Sequence, residues 1–278
     1  MHTEIDASLA TLDISLFSAI PSQTSYEEKR GLLAAQFAIR DLRTSYDYLE
    51  IGSHLGGSIQ PHLLDPKCRC ICSIDRRLGV QADNRGIPYK YPDNSTARML
   101  DLLAAIDEKS VSKIRTFDGD SRSIDVREID SPDICLIDGE HTTKATCADW
   151  QLCLRVCRED GIILFHDTGI VFPAIRKMIR QMRKRRISFS AGRLGGSLYY
   201  VGLGAHNPAV QHPTFKSQIR NDDLFSIRRD VLLFASKLYN RVTTNAVGAR
   251  ILKCAASVTA FARWIGIPVP PLRNRLLT

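Results

Sequence analysis

Long apolar runs are missing from this sequence. None approaches the roughly 18 residues that a helix needs to cross a membrane. The first residues, MHTEID, also lack the basic start and the apolar core of a secretory signal. Internal repeats and low-complexity segments do not occur. These absences predict an ordinary globular protein of the cytoplasm, in keeping with 44% hydrophobic and 24% charged residues.

The eight cysteines do not indicate a disulfide scaffold. A chain of 278 residues is long enough to build a hydrophobic core without disulfides. Cys68, Cys70 and Cys72 alternate along one segment, but no second group of ligands accompanies them, which favours buried packing over a zinc site. Five of the eight cysteines fall within predicted strands or helices, where a reduced thiol packs as a small apolar residue: Cys70, Cys72, Cys135, Cys153 and Cys157.

Positive charge is in excess, with a formal net charge of +8. Residues 176–186 form one dense basic run, and residues 216–278 carry many more lysines and arginines. A single-strand nucleic-acid binder places aromatic residues among its basic ones, and these are missing, so we expect no nucleic-acid partner. A solvated helix face is the favoured interpretation of the basic run, with binding to anionic lipid or to an anionic substrate carrier as the alternative.

Short apolar runs alternate with helical patterns from residue 26 onward. The runs predict strands near 47–52, 70–75, 113–118, 133–138 and 160–166. Apolar residues at helical spacing predict helices near 26–43, 57–64, 94–107, 143–157 and 171–184. This alternation predicts an α/β fold with a Rossmann-like, doubly wound, mostly parallel sheet that is covered on both faces. Segments 187–190 and 196–202 predict an antiparallel hairpin at one edge.

The pattern divides the chain into three regions. Residues 1–29 are an N-terminal leader without strong periodicity, residues 30–204 are the α/β domain, and residues 205–278 are a basic helical C-terminal extension. The extension contains an amphipathic segment at about 222–265. Its apolar face needs covering and its arginines suit negative charge, so we expect it to contact a second subunit in a homodimer, or an anionic membrane surface.

A glycine turn after the first strand is the most informative motif. Gly52, Gly56 and Gly57 follow the apolar run 48–51, at a spacing that turns a buried strand sharply into a helix N-terminus. Asp75 ends the next strand about twenty residues later, where a carboxylate can accept hydrogen bonds from ribose hydroxyls. A glycine turn alone also occurs in ordinary tight turns. With Asp75 at this spacing, a cofactor that contains a nucleoside is favoured.

Acidic and histidine residues end two later strands. Asp138 follows the fourth strand, and His166 and Asp167 follow the fifth. Ligands of open α/β sheets bind outside the carboxyl ends of the strands, and neighbouring strands lie about 4.8 Å apart, so these side chains can converge. Two carboxylates and an imidazole suit a divalent cation. Each residue alone could instead be a turn former or a helix cap.

These segments together resemble the class I S-adenosylmethionine-dependent methyltransferases. Within that class they are similar to the branch of macrocin-type sugar O-methyltransferases and cephalosporin-hydroxylase-like proteins. The resemblance covers about residues 30–204. It rests on segments 49–57 (LEIGSHLGG), 73–75 (SID), 119–121 (GDS), 137–141 (IDGEH) and 164–167 (LFHD).

The resemblance implies a cofactor site for S-adenosylmethionine. The glycine turn would hold the methionine part of the cofactor, and Asp75 would hold the ribose. Asp120 and Ser121 would lie beside the adenine. The residues implied for the glycine turn are Glu50, Gly52, Ser53 and Gly56.

Metal-dependent members of the class use an acid after the fourth strand and an adjacent pair after the fifth. The resemblance therefore implies Asp138, His166 and Asp167 as metal ligands. A histidine stands where the family usually has a carboxylate or an amide, which leaves open Mg, Mn, Fe or Zn, or no metal at all.

The implied reaction is methylation of a hydroxyl group on a small molecule or a sugar. The hydroxyl must lose a proton, and His141 is the candidate base, assisted by Asp138. His141 could instead cap the helix that follows it. A nicotinamide-dependent oxidoreductase is an alternative function, although the GxGxxG fingerprint of that class is missing. A non-catalytic scaffold protein with the same fold is another.

Overall fold

The structure is a computed structural model that describes residues 2–220, with side chains from residue 4 onward. In this part of the chain the strands form one seven-stranded sheet and one two-stranded sheet. The strands are β1 (Tyr46–Ile51), β2 (Cys68–Asp75), β3 (Val80–Ala82), β4 (Pro88–Lys90), β5 (Ile114–Asp118), β6 (Ile134–Ile137), β7 (Ile162–Phe165), β8 (Phe189–Arg193) and β9 (Tyr199–Leu203). Their order in the large sheet is β5-β2-β1-β6-β7-β9-β8.

The large sheet is parallel except at one edge. β1 pairs in parallel with β2 and β6, β2 with β5, and β6 with β7, whereas β9 runs antiparallel to β7 and β8. β1, β6 and β7 are buried along their whole length, which explains the continuous apolar sequences of β6 and β7, whereas β1 also buries Asp47 and Glu50. The strand order reverses between β1 and β6, the point where open α/β sheets bind ligands. The predicted doubly wound sheet and its antiparallel edge are confirmed.

Helices pack on both faces of the large sheet. They are α1 (His2–Thr11), α2 (Tyr26–Leu42), α3 (Gln60–Leu64), α4 (Thr96–Asp107), α5 (Thr143–Val156), α6 (Thr168–Lys184), α7 (Pro208–Gln211) and α8 (Pro213–Gln218). Alternate strand residues point to opposite faces. On one face Tyr200 of β9 meets Phe215 of α8, with ring centroids 5.1 Å apart. On the other face Phe165 of β7 meets Trp150 of α5 at 5.7 Å.

Both ends of the predicted domain differ from the structure. The leader, residues 1–29, contains α1 and the first turn of α2, and Leu9, Phe17 and Ile20 are buried in the same core as the sheet. The region after residue 204 begins with α7 and α8, which pack against α2. Phe215 is fully buried there, so the compact unit continues to the last described residue. The predicted helix at 222–265 lies outside the described residues.

The hairpin formed by β3 and β4 was not predicted from the sequence. It lies between β2 and α4, and its antiparallel strands are only three residues long. Such short strands, with exposed Val80 and polar neighbours, carry no clear alternation of apolar and polar residues. Among residues 2–220, none of the helices combines the length and the apolar character that crossing a membrane would require.

Candidate active site

The glycine turn joins the carboxyl ends of three strands. Gly52 has a φ of +92°, and a Cβ there would lie 2.2 Å from the carbonyl oxygen of Asp138. Only glycine can occupy this position. Its N–H donates to the carbonyl of Ile74, and the N–H of Asp138 donates to the carbonyl of Ile51, both at 2.8 Å. The turn after β1 is therefore fixed between the ends of β2 and β6.

A cavity of about 260 Å³ opens at the carboxyl ends of β1, β2, β5 and β6. Asp75 lines it and is only 5% exposed. Its carboxylate accepts hydrogen bonds from the backbone N–H groups of His54 (2.9 Å) and Arg77 (2.7 Å). Each carboxylate oxygen can accept more than one hydrogen bond, so Asp75 can still receive ribose hydroxyls while the glycine turn holds it in place.

Asp120 and Ser121 line the same cavity beyond the end of β5. The Arg122 side chain donates to both carboxylate oxygens of Asp120, at 2.7 and 2.6 Å. This pairing lowers the pKa of Asp120 to about 2. The loop therefore presents an ionised and already paired carboxylate, with the buried hydroxyl of Ser121 beside it.

Three of the residues predicted to bind the cofactor make contacts within the protein that support the glycine turn. Glu50 is buried, and its carboxyl accepts from Tyr48 (2.9 Å) and from Ser58; burial raises its pKa to about 7. The Ser53 hydroxyl lies 2.6 Å from that of Ser73. Gly56, with a φ of +83°, faces Leu103 of α4. Their contact with the cofactor stays a prediction, whereas Gly52 does line the cavity.

A polar cluster lies next to the cavity, where β6 and β7 end. Nε2 of His141 lies 3.3 Å from Oδ1 of Asp138 and 3.4 Å from Oδ2 of Asp167. Asp167 has a φ of +49°, a left-handed conformation that non-glycine residues seldom adopt. Thr142, rather than His141, caps α5 by accepting from the N–H of Ala145. The helix-cap alternative for His141 is therefore wrong.

His166 lies behind this cluster and is almost fully buried. Its Nδ1 is 3.1 Å from Oδ1 of Asp138, and its Nε2 is 3.4 Å from Oε2 of Glu28. Neither contact has the angles of a hydrogen bond. The atoms that could jointly hold a cation belong to Asp138, His141 and Asp167 and lie within 4.8 Å of one another. His141 thus joins the two predicted carboxylates, while Nδ1 of His166 also lies near them, 3.8 Å from Oδ2 of Asp167. The predicted ligand set of Asp138, His166 and Asp167 stays a prediction.

Glu28 is the residue of this cluster that sequence reasoning missed. It belongs to α2, where its carboxylate completes a capping box with Ser25 and also accepts from the N–H of Ser197 at 2.7 Å. The spacing Ser25-x-x-Glu28 signals a helix start and nothing more. The proximity of Glu28 to His166 arises only from the packing of α2 on the sheet.

Charges within the cluster stabilise one another. Burial opposes ionisation of Asp138, but the two histidines outweigh it and hold its pKa below the usual range. Burial also opposes protonation of His166, yet Asp138, Asp167 and Glu28 raise its pKa well above the usual value. The pKa of His141 is raised as well, because Asp138 and Asp167 outweigh its burial. Both imidazoles therefore tend to carry positive charge between carboxylates.

The hairpin of β3 and β4 holds the loop that carries His141. The Asn84 N–H donates to the carbonyl of His141 at 2.9 Å, and the Asn84 side-chain oxygen accepts from the N–H of Thr143 at 2.9 Å. The Asn84 amide also donates to the carbonyl of Ile170 in α6. One asparagine thus ties the hairpin, the loop after β6 and α6 together around the site. The short and polar hairpin gave no signal of this role in the sequence.

These features fit both S-adenosylmethionine and a divalent cation, the two ligands that the resemblance implies. The cavity offers a carboxylate for a ribose at Asp75 and close backbone approach at Gly52. For a cation, Asp138, His141 and Asp167 offer two oxygens and one nitrogen, a set suited to Mn, Fe or Zn and less to Mg. The two imidazoles could instead balance the carboxylates as cations, so a metal is chemically suitable but not required.

Comparison with known proteins identifies the domain. Residues 49–168 match a family model described as a methyltransferase domain. No curated protein sequence matches the chain.

Several solved methyltransferases are similar in structure. TomG from Streptomyces achromogenes, an O-methyltransferase in complex with S-adenosylmethionine, is 13% identical, covers 72% of this chain and 90% of its own, and has a TM-score of 0.45. The O-methyltransferase NovP is 14% identical, covers 63% of this chain and 78% of its own, and has a TM-score of 0.48. MycE, a mycinamycin-pathway methyltransferase in complex with Mg and S-adenosylhomocysteine, is 16% identical, covers 71% of this chain and 55% of its own, and has a TM-score of 0.47.

The matched segment contains the end of β1 and the whole of β2, β5, β6 and β7, and the carboxyl ends of these strands form the cavity and the polar cluster. Residues 49–168, which hold the glycine turn and the polar cluster, are therefore similar to a methyltransferase domain.

Proposed function

We propose that this chain is a class I S-adenosylmethionine-dependent methyltransferase that methylates a hydroxyl group of a small molecule or a sugar. The observation that carries the proposal is the cluster of Asp138, His141 and Asp167 beside the cavity. Asp138 and His141 alternate along the loop with Gly139, Glu140 and Thr142, which line the cavity. A base at His141 therefore lies directly between two residues, Glu140 and Thr142, that line the cavity. A hydroxyl acceptor needs such a base, because it must lose a proton during transfer.

In this proposal His141 accepts the hydroxyl proton. Bound S-adenosylmethionine supplies a sulfonium methyl group, which already has a good leaving group, so the protein mainly orients the acceptor and removes its proton. Asp138 and Asp167 face Nε2 of His141 and stabilise the imidazolium that forms. His166, which lies between Asp138 and Glu28, stabilises the Asp138 carboxylate from behind.

The class of methyl acceptor and the role of His141 as base can be tested with labelled S-adenosylmethionine and a panel of sugars, phenols and amines. We expect label in hydroxyl compounds and a loss of at least about a hundredfold in His141→Gln, the lower range for a general base. His206→Gln, which changes an exposed histidine, is the matched control. Transfer to amines alone, or full activity of His141→Gln, would contradict the proposal.

Calorimetry separates the methyltransferase from the two alternative functions. It should detect binding of S-adenosylhomocysteine and none of NADH. Binding of NADH alone would favour the oxidoreductase, and binding of neither would favour the scaffold protein.

Binding of a divalent cation at Asp138, His141 and Asp167 is the alternative to proton removal by His141. A cation there would acidify the acceptor hydroxyl, and His141, as a ligand through Nε2, would no longer take the proton on that atom. Mn²⁺ should raise the melting temperature of the wild type and not that of Asp138→Ala, since a ligand that binds the folded state stabilises it. Methyl transfer that survives both exhaustive chelation and Asp138→Ala would exclude the cation from the mechanism.

Partners and location complete the proposal. We place the enzyme in the cytoplasm, where the unpaired thiols found at every cysteine of the described region would stay reduced. The basic C-terminal extension is proposed to contact a second subunit, with an anionic membrane surface as the alternative. Because α7 and α8 belong to the core, the test is truncation after Arg220. Unchanged oligomeric state and unchanged binding to anionic liposomes would contradict this part.

A further inference from the structure

A buried carboxyl group at the cavity takes no part in the chemistry above. Asp149 lies on the inner side of α5, lines the cavity and is 5% exposed. Arg122 lies nearby, but its guanidinium is held by Asp120. The hydroxyl of Ser121 lies beside Asp149 and lowers its pKa. Asp149 is thus a cavity-lining acid whose charge no basic side chain neutralises by direct pairing in the described structure.

The surroundings of Asp149 keep its proton available near neutral pH. The pKa of Asp149 is raised to about 7, mainly by burial. The carboxylates of Asp120 and Glu140 also raise this pKa, whereas Ser121 and Arg122 lower it. Lys144 and Arg76 also line the cavity, and Arg76 pairs with Glu140 at 2.8 Å. A protonated carboxyl group carries one donor and one acceptor side by side.

A glycine lets the loop after β6 pack closely on Asp149. A Cβ at Gly139 would lie 3.3 Å from Oδ2 of Asp149, a tight contact, so a larger residue there would press on the carboxyl. Ser121 lines the cavity, and Asp75 lies in the same cavity at the end of β2. A nucleoside with its ribose at Asp75 and its base near Ser121 would extend toward Asp149.

We propose that Asp149, as a carboxylic acid, recognises the N1–N6 edge of the cofactor's adenine. The acid O–H donates to N1, and its carbonyl oxygen accepts from the N6 amino group. This recognition rests on the assignment of the cavity to S-adenosylmethionine. It makes Asp149 a specificity-determining residue for the nucleobase, separate from the residues that act on the acceptor.

Calorimetry with two analogues of S-adenosylhomocysteine tests the contact at one atom. The 1-deaza analogue has a C–H in place of N1, whereas the 3-deaza analogue loses a nitrogen on the opposite side of the base and is the matched control. At pH 6.5 the wild type should bind the 1-deaza analogue about 10- to 100-fold more weakly than the 3-deaza analogue. Equal affinities for the two analogues would overturn the inference.

Variants of Asp149 separate recognition from a structural role. Asp149→Asn keeps a donor and an acceptor, so it should bind S-adenosylhomocysteine within about threefold of the wild type. Asp149→Leu should bind it more weakly and lose the difference between the two analogues. Glu140→Gln, which removes a carboxylate at the same cavity, should keep that difference. If Asp149→Leu bound normally, the inference would fail. If the wild type bound no S-adenosylhomocysteine at all, the cofactor assignment itself would fail.

The pH dependence of binding gives an independent test. Only the protonated acid can donate to N1, so wild-type affinity should fall as the pH rises through about 7, by up to about tenfold per pH unit above that value. Asp149→Asn should show no such fall. A flat profile in the wild type, or the same fall in Asp149→Asn, would contradict the proposed contact.

Discussion

Replacing Asp75 by alanine is expected to weaken S-adenosylhomocysteine binding about 10- to 150-fold. A charge-assisted hydrogen bond contributes about 1.5–3 kcal/mol, and each 1.4 kcal/mol corresponds to a tenfold change in affinity. Asp75 is 5% exposed, so little water competes with the ribose for its oxygens. The substitution also removes the acceptor for the N–H groups of His54 and Arg77, which loosens the glycine turn and adds to the loss.

The assay is titration calorimetry, with thermal unfolding by circular dichroism to confirm that the variant is folded. Asp118→Ala is a matched control, because Asp118 lies opposite Asp75 in the register of β2 and β5. Its side chain is 54% exposed and does not line the cavity. A folded Asp75→Ala protein with unchanged affinity would refute the placement of the ribose. A similar loss in Asp118→Ala would assign the effect to negative charge in general.

Three further outcomes are expected. Glu28→Gln should lower the pKa of His166, measured by NMR titration, because it removes one of the carboxylates that stabilise the imidazolium. With cations chelated, the rate of methyl transfer should rise with pH through a pKa above 6.5, because only neutral His141 accepts a proton and its pKa is raised; His141→Gln should abolish this rise. Asp65→Ala should cost about 3–5 kcal/mol of unfolding free energy in urea, since it leaves the buried Arg40 guanidinium without its main partner.

Controls and contrary outcomes differ for these three. Glu27→Gln changes the exposed neighbour of Glu28 and should leave His166 unchanged; an equal shift in both variants would mean that no direct interaction exists. A pH–rate profile that is identical in His141→Gln would assign the titration to another group. A loss of stability in Asp65→Ala as small as that of an average surface substitution would show that the buried network of Arg40 and Asp65 contributes little.

The sheet was predictable from the sequence because its central strands are buried on both faces. Such strands need apolar runs, which 134–137 and 162–165 supply without a break and 48–51 supplies with one acid, Glu50. The positions of Asp75, Asp138 and Asp167 followed as well, because parallel strands end at a common edge. A residue that directly follows a buried strand must therefore lie near the ligand site.

Contacts between distant segments could not be predicted in the same way. Glu28 and Asn84 reach the site from α2 and from the hairpin, and neither has a periodic pattern that points there. The direction of the His166 ring was also beyond the sequence, since adjacent residues at a strand end can face opposite sides. The helical nature of residues 2–11 was missed because α1 has little separation of apolar and polar faces.

The position of Glu28 has a consequence for how this protein can be divided or recombined. The segment that matches the methyltransferase model, residues 49–168, contains the glycine turn, both histidines and all three acids of the site. It does not contain Glu28 or Ser197, the two residues that close the site from behind. A chimera that transplanted only the matched segment would carry every recognisable motif and still lack one negative charge beside His166. In this fold, the smallest portable unit is therefore longer than the part that sequence similarity marks out.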